Sequence, residues 1–195
     1  MGLLLIEQAF NGLQFGVMLF LIAAGLTLVF GIMDLVNLSH GSLVMVGAYL
    51  ATTLIEWTGS FILGILLALP STFLVGVVVE IVVLRTLYER DHLDQVLATF
   101  GLILFFNELI RIVWGPASLY SGLPESISGH VEILPGVPYP AFRLLIILVG
   151  LLVALLIYFI VARTKLGMLI RAGASNREMA GALGVNIRML FTLVF

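Results

Sequence analysis

The chain has 195 residues, of which 62% are hydrophobic and only 10% are charged. A water-soluble domain carries about 25% charged residues, so this composition excludes a soluble fold and predicts an all-α, polytopic membrane protein. The formal net charge of −2, without a basic stripe, excludes nucleic acid as a partner. The absence of cysteine excludes disulfides and cysteine-bound metals.

Long apolar runs predict the membrane spans. A helix needs about 20 apolar residues to cross the hydrocarbon core, and the runs of that length are residues 9–32, 61–84, 95–114 and 141–162. A shorter run covers 43–55, and a last one follows Arg188 to the end of the chain. We therefore predict about five spans, one of them short or discontinuous, plus the start of a sixth. The single transmembrane domain over residues 1–195 is expected to be truncated at its C-terminus.

The short run at 43–55 covers about 20 Å at 1.5 Å per residue, less than the ~30 Å core. It follows a polar group made of Asn37, Ser39, His40 and Gly41. This arrangement predicts a discontinuous or re-entrant helix, a feature that marks substrate pathways in transporters. The alternative is a plain tight turn between two helices, capped by Asn37 and Ser39. A lone histidine without a second ligand is expected to be a structural donor.

Two carboxylates lie inside predicted spans, Glu80 near an inner end and Glu108 near an outer end. An ionisable residue in a membrane is a functional hypothesis by default. Both positions are close enough to an interface to pair or reach water, which favours a structural role. Arg111 shares a helix face with Glu108 and can pair with it. Asn107 can line a pathway or bond to a neighbouring helix.

Lys and Arg in short loops predict the orientation, because cytoplasmic loops are enriched in them. Five of the nine lie in residues 163–188 and two in residues 85–94, whereas residues 115–140 contain none. Both basic loops are therefore expected to be cytoplasmic and the N-terminus outside. Residues 115–140 contain five prolines, which predicts an ordered, non-helical external loop.

The basic loop at 163–188 contains signals for a short helix. Ser175-Asn-Arg-Glu178 matches a capping box, and Gly184 is a natural stop, so we predict a helix at 176–183. Isolated helices shorter than about 12–15 residues are marginal in water. This helix therefore requires tertiary contact. Either it rests on its own bundle or on lipid head groups, or it docks onto another protein.

The helix and its surroundings resemble a known family. Glu178-Met-Ala180 followed by Gly184 resembles the EAA-type loop of ABC importer permeases, in which a short cytoplasmic helix fits a cleft on the ATPase subunit. Met179 stands where that motif has alanine. The wider segment from Thr164 to Asn186 is similar to the same loop in branched-chain amino acid permeases of the LivH type.

Further blocks of the chain follow the order of the LivH-type family, from about residue 13 to the C-terminus. They are Gly25-Leu-Thr27, Asn37-Leu-Ser-His-Gly41, Gly47-Ala-Tyr49, Leu97-Ala-Thr-Phe-Gly-Leu102 and Trp114-Gly-Pro116. The family continues with further spans after the basic loop, and these are not in the sequence.

The resemblance implies a permease subunit of an ATP-driven importer that moves branched-chain, hydrophobic amino acids across the cell inner membrane. It implies four kinds of partner: a second permease subunit similar to LivM, two ABC ATPase subunits, an extracytoplasmic solute-binding protein and membrane lipid. The implied ATPase-docking residues are Arg171, Ser175, Glu178, Ala180, Gly181 and Gly184. The candidate pathway residues are Asn37, Ser39, His40, Gly41 and Asn107.

The chain has no Walker A pattern, so we expect it to be no enzyme and to bind no cofactor, ATP being used by the partner subunits. No catalytic constellation and no metal site is predicted. Two alternatives stay open. The same family includes urea and short-chain amide permeases. An ATP-independent secondary transporter or channel is the other alternative, although it would need ionisable residues near the middle of the membrane for coupling.

Overall fold

The computed structural model describes residues 2–120, 122–134 and 137–195. Most of them are helical, which confirms the predicted all-α class. In chain order the elements are α1 (Gly2–Met33), α2 (His40–Thr58), α3 (Phe61–Val82), a 3-10 turn (Leu84–Leu87), α4 (His92–Trp114), α5 (Glu125–Ser128), β1 (His130–Leu134), β2 (Val137–Pro140), α6 (Ala141–Arg163), α7 (Lys165–Ser175), α8 (Arg177–Ala182) and α9 (Ile187–Val194).

Four helices are long and apolar enough to cross a membrane: Leu4–Met33, α3, α4 and α6. They correspond to the four long apolar runs of the sequence. The protein is therefore a multi-pass α-helical membrane protein.

The predicted short span at 43–55 is a continuous helix, α2, that begins at His40 and has 19 residues. The expected discontinuity is not within this helix. The non-helical backbone lies before it, at residues 34–39. Hydropathy placed the start too late because His40, Gly41 and Ser42 are not apolar, whereas helical hydrogen bonding is independent of side-chain polarity. The carbonyl of Ser39 already accepts from the Leu43 N–H at 3.1 Å.

The predicted external loop contains more structure than its prolines indicated. The short helix α5 precedes an antiparallel hairpin in which Val131 faces Tyr139 and His130 faces Pro140. An irregularity between Glu132 and Leu134 interrupts the register. The expectation of a non-helical loop was therefore wrong at α5. Pro135, one of the five prolines, lies outside the described residues.

The chain forms two compact units, and α1 contributes to both. The first unit contains the chain up to Gly25 and Leu123–Met168. Within it, Tyr139 is fully buried, and its hydroxyl donates to Asn11 Oδ1 at 3.0 Å. Gly150 of α6 lets α1 approach closely, since an added Cβ would overlap the Val17 side chain.

The second unit contains Leu26–Gly122 and Leu169–Phe195. Its α2 and α3 pack tightly as a hairpin, because Gly64 has no Cβ. An added Cβ there would lie 2.6 Å from Ile55 Cα. The core of this unit joins the end of α1 to side chains of α4, α7 and α9, including Met33, Leu35, Phe106, Ile110, Ile170, Leu190 and Phe191.

A buried carboxylate links α9 to α3. Glu80 has no solvent-exposed surface. The Arg85 guanidinium donates to it at 3.1 Å, the Tyr88 hydroxyl at 2.7 Å and the Thr192 hydroxyl at 2.9 Å. Burial, followed by the hydrogen bond to Glu80, raises the pKa of Tyr88 far above its usual range, so this phenol remains a donor at physiological pH. The structure thus gives Glu80 the structural role expected from the sequence.

Replacing Glu80 tests whether this network holds α9. Glu80→Gln is expected to destabilise the protein by about 1–3 kcal/mol, because the amide NH2 turns a donor toward Arg85, Tyr88 or Thr192. Removing one partner of a fully buried pair costs about 3–5 kcal/mol. We expect less here, because the Arg85 side chain is 36% exposed and can reach water.

The measurement is the midpoint of unfolding in a denaturing-detergent titration. Glu108→Gln is the matched control, because Glu108 is an exposed carboxylate of α4 and its change should stay within about 0.5 kcal/mol. Equal midpoints for Glu80→Gln and the parent protein would contradict a stabilising role for the network.

Candidate docking site and the polar contacts beneath it

The helix α8 begins one residue later than its predicted cap. Asn176 is the N-cap, and its Oδ1 accepts from the Met179 N–H at 2.8 Å. The predicted capping box on Ser175 was therefore wrong. Ser175 is the last residue of α7, because the Asn176 N–H still bonds to the Ala172 carbonyl at 3.0 Å. Asparagine caps as well as serine does, so the adjacent position serves equally well.

The end of α8 confirms the predicted stop at Gly184. This glycine has φ +90°, in the left-handed region that side chains disfavour. The Val185 N–H donates to the Ala180 carbonyl at 3.1 Å, and the Gly184 N–H donates to the Gly181 carbonyl at 3.0 Å. Together these bonds form a Schellman motif, which satisfies the last carbonyls of the helix. Both ends of α8 are thus fixed by local hydrogen bonds.

One face of α8 rests on its own bundle. Ala180 is 4% exposed, and the space beside Gly181 is occupied by the Ile187 side chain of α9, 3.7 Å from where a Cβ would stand. The Arg177 guanidinium lies over the Phe191 ring at 5.8 Å. The methyl group of Ala180, a predicted docking residue, is therefore buried and is not accessible to a partner.

The other face of α8 is open. Met179 is 63% exposed and Leu183 is 80% exposed, and their spacing of four residues places them on the same side. The remaining predicted docking residues are also exposed: Arg171, Ser175, Glu178, Gly181 and Gly184. Met179 and Leu183 are not among the docking residues predicted from the sequence, although two large apolar residues four apart distinguish this part of a polar loop.

An ion pair joins α8 to the segment that follows α1. Arg177 Nη2 lies 3.8 Å from Asp34 Oδ2, and the two side chains are 38% and 60% exposed. Such a pair contributes only about 0–1 kcal/mol. Asp34 has φ +50°, a left-handed conformation that aspartate tolerates better than most residues. It begins the non-helical segment 34–39, which we name the α1–α2 linker.

Two buried side chains of α4 bind the backbone of the α1–α2 linker. Gln95 Oε1 accepts from the Val36 N–H at 3.2 Å, and Thr99 Oγ1 lies 3.3 Å from the Val36 carbonyl oxygen. The Gln95 amide also donates to the carbonyls of Leu87 and Arg90, each at 3.2 Å. Gln95 is 2% exposed and Thr99 is fully buried. Their spacing of four residues puts both on one face of α4, a signal that the sequence analysis did not use.

The predicted pathway residues do not form one site. Asn37 and Ser39 are buried and bond to each other, with Asn37 Oδ1 accepting from the Ser39 N–H at 3.0 Å and its hydroxyl at 2.7 Å. Neither side chain caps α2, which was the alternative expectation. Gly41 is exposed. Asn107 is exposed on α4 and lines neither of the two cavities beside the linker and α2.

Asn37 and His40 border different cavities, each of about 270 Å³. The cavity at Asn37 is lined mainly by apolar residues of α1 and the α1–α2 linker, including Leu26, Phe30 and Leu38. The one at His40 lies between α2 and α3, and Phe195 is among its lining residues. The described part of the chain holds no group of three or more His, Asp or Glu that could bind a metal ion.

Comparison with known proteins identifies relatives over nearly the whole chain. The permease protein BraD of Pseudomonas aeruginosa, from a high-affinity branched-chain amino acid transport system, is 29% identical over 97% of the chain and 66% of its own length. LivH of Escherichia coli K12, a permease protein of the same kind of system, is 26% identical over 97% of the chain and 65% of its own length. A probable branched-chain amino acid transport permease, LivH of Methanocaldococcus jannaschii, is 28% identical over 87% of the chain and 55% of its own length.

The chain thus spans slightly less than two thirds of BraD and LivH. No solved structure matches it. The family model described as the permease component of branched-chain amino acid transport systems matches residues 8–195. Because this match covers almost every residue, the chain belongs to the family of branched-chain amino acid transport permease components.

Proposed function

We propose that the chain is part of a permease subunit of an ATP-driven importer for branched-chain amino acids. The observation that carries the proposal is the family match over residues 8–195. The multi-pass helical architecture and the open face of α8 support it. The relatives named above are permease proteins of branched-chain amino acid transport systems, and their shared ancestry with this chain favours the same substrate class.

We infer that α8 docks an ABC ATPase subunit through Met179 and Leu183. Ala180 packs the inward face of α8 against the bundle, and hydrogen bonds satisfy backbone groups at both ends of the helix. The helix can therefore bear force without unfolding. Two large exposed apolar side chains on a short, fixed helix suit insertion into a cleft. Arg171 and Glu178 beside them are exposed and can add polar contacts.

The remaining partners follow from this role. A second permease subunit, two ATPase subunits and an extracytoplasmic solute-binding protein would complete the importer in the cell inner membrane. ATP would be used by the ATPase subunits, and this chain would bind no cofactor. The positive-inside rule supports cytoplasmic loops at 85–94 and 163–188 and an external N-terminus.

The docking face is tested by the double variant Met179→Gln with Leu183→Gln in the full-length permease. Burying one leucine side chain contributes about 1.5–3 kcal/mol, and each 1.4 kcal/mol is about tenfold in affinity. Co-purification of the ATPase subunit should therefore fall more than about tenfold. Tyr120→Gln, at an 87% exposed position in the predicted external loop, is the matched control and should retain the ATPase. Normal co-purification of the double variant would contradict docking through α8.

Transport by the reconstituted importer tests substrate and energy source together. Proteoliposomes holding the full-length permeases, the ATPase subunits and the binding protein should take up labelled leucine with ATP inside and not without it. Labelled urea should not accumulate. Uptake of urea alone would indicate the amide branch of the family, and leucine uptake that survives removal of the ATPase subunits would indicate a secondary transporter or channel.

A further inference from the structure

We propose that the ion pair between Asp34 and Arg177 is the contact through which α8 moves the α1–α2 linker during transport. Asp34 and Arg177 would be positioning residues, which act through the linker without touching substrate. This inference rests on the proposed function, because the force on α8 would come from the docked ATPase subunit. It adds the route by which that force enters the bundle.

The attachments of α8 differ in strength. On the C-terminal side, α8 leads directly into α9, and α9 is held at Thr192 by the fully buried Glu80. On the other side, Arg177 and Asp34 meet at 3.8 Å with 38% and 60% of their side chains exposed. Water and salt screen an exposed pair of this kind, so it opens easily. On its N-terminal side α8 continues into α7 through Asn176, and Ile170 of α7 lies in the core of the unit. The pair with Asp34 is thus the weakest of these attachments and the one suited to open and close.

The Arg177 guanidinium keeps a second contact when the ion pair opens. Its guanidinium already lies over the Phe191 ring at 5.8 Å, within the range of a cation–π contact. Arg177 can therefore leave Asp34 without losing every partner. Both contacts are made in one conformation, and the contact with the Phe191 ring remains when the pair with Asp34 opens.

Hydrogen bonds to α4 restrict how far the linker backbone can move when Asp34 is displaced. Val36 is two residues away, and its N–H donates to Oε1 of the buried Gln95 of α4 at 3.2 Å. The Thr99 hydroxyl, which donates to the Gln95 carbonyl at 2.8 Å, also lies 3.3 Å from the Val36 carbonyl oxygen. Gln95 also binds the carbonyls of Leu87 and Arg90, in the turn between α3 and α4. Movement of Asp34 therefore strains the hydrogen bonds that join the linker to the start of α4.

The charge variants test this route in proteoliposomes that hold the complete importer. Asp34→Asn keeps the side-chain shape and the tolerance for a left-handed backbone, and Arg177→Gln removes the opposite charge. For both we expect normal co-purification of the ATPase subunit, but about a fivefold loss of leucine moved per ATP hydrolysed, which is the most that losing an exposed ion pair should cost. The double variant should be no worse than either single one, because both remove the same contact.

Arg188→Gln is the matched control, because Arg188 is an exposed arginine of the neighbouring helix α9. It should leave the ratio of transport to hydrolysis unchanged. A parent-like ratio in both Asp34→Asn and Arg177→Gln, with the ATPase subunit still bound, would overturn this inference alone. Failure of the parent permease to bind any ATPase subunit would overturn the proposed function and this inference with it.

A cross-link provides a second, independent measurement. Residues 1–195 contain no cysteine, so a variant with Asp34→Cys and Arg177→Cys introduces the only thiols in this part of the permease, and any cysteine elsewhere in the importer is first replaced by serine. A cleavable bifunctional thiol reagent that joins them should stop leucine uptake while the ATPase subunit remains bound, and cleavage should restore uptake. Uptake at the uncross-linked rate in the joined protein would show that the contact need not open, which overturns the proposal.

Discussion

The architecture of the second unit depends on satisfying backbone that is not helical. A buried N–H or carbonyl without a partner costs about as much as a lost hydrogen bond, so irregular segments are stable only where protein or water supplies partners. The α1–α2 linker meets this requirement at Val36, whose N–H donates to Gln95 Oε1 of α4. The same glutamine satisfies two carbonyls of the turn before α4. One side chain thereby fixes the positions of the linker and of this turn relative to α4.

Two kinds of polar contact follow from this constraint, and they differ in what they can do. The Glu80 carboxylate is fully buried and accepts from Arg85, Tyr88 and Thr192, so this network is suited to holding α9 in place. The pair between Asp34 and Arg177 is exposed and weak, so it is suited to changing partners. The helix α8 is thus held firmly through α9 and through α7, whose Ile170 lies in the core, whereas its contact with Asp34 can open.

The sequence predicts most of the fold because hydropathy identifies long helices well. It located the four apolar helices and the Gly184 stop. It misplaced the start of α2, since His40, Gly41 and Ser42 are polar or small yet helical. It also chose Ser175 over Asn176 as the cap, because the two neighbouring residues are nearly equal in capping preference.

The short helix of the basic loop was also predicted from sequence, but its contacts were not. Gln95 and Val36 are 59 residues apart, and no local pattern records their bond. The small residue Ala180 was consistent with close approach by another protein or with burial on its own bundle, and only the packing distinguishes them. The pathway residues were grouped because they are neighbours in sequence, whereas Asn37 and His40 border different cavities.

The most direct test of the account is to ask what touches the open face of α8 in the assembled transporter. A photo-activated cross-linking amino acid in place of Leu183 should, on illumination, join the full-length permease covalently to an ABC ATPase subunit. The same amino acid in place of Tyr120 should give no such product. If position 183 links only to lipid or to the permease itself, α8 is a surface connector and the docking account is wrong.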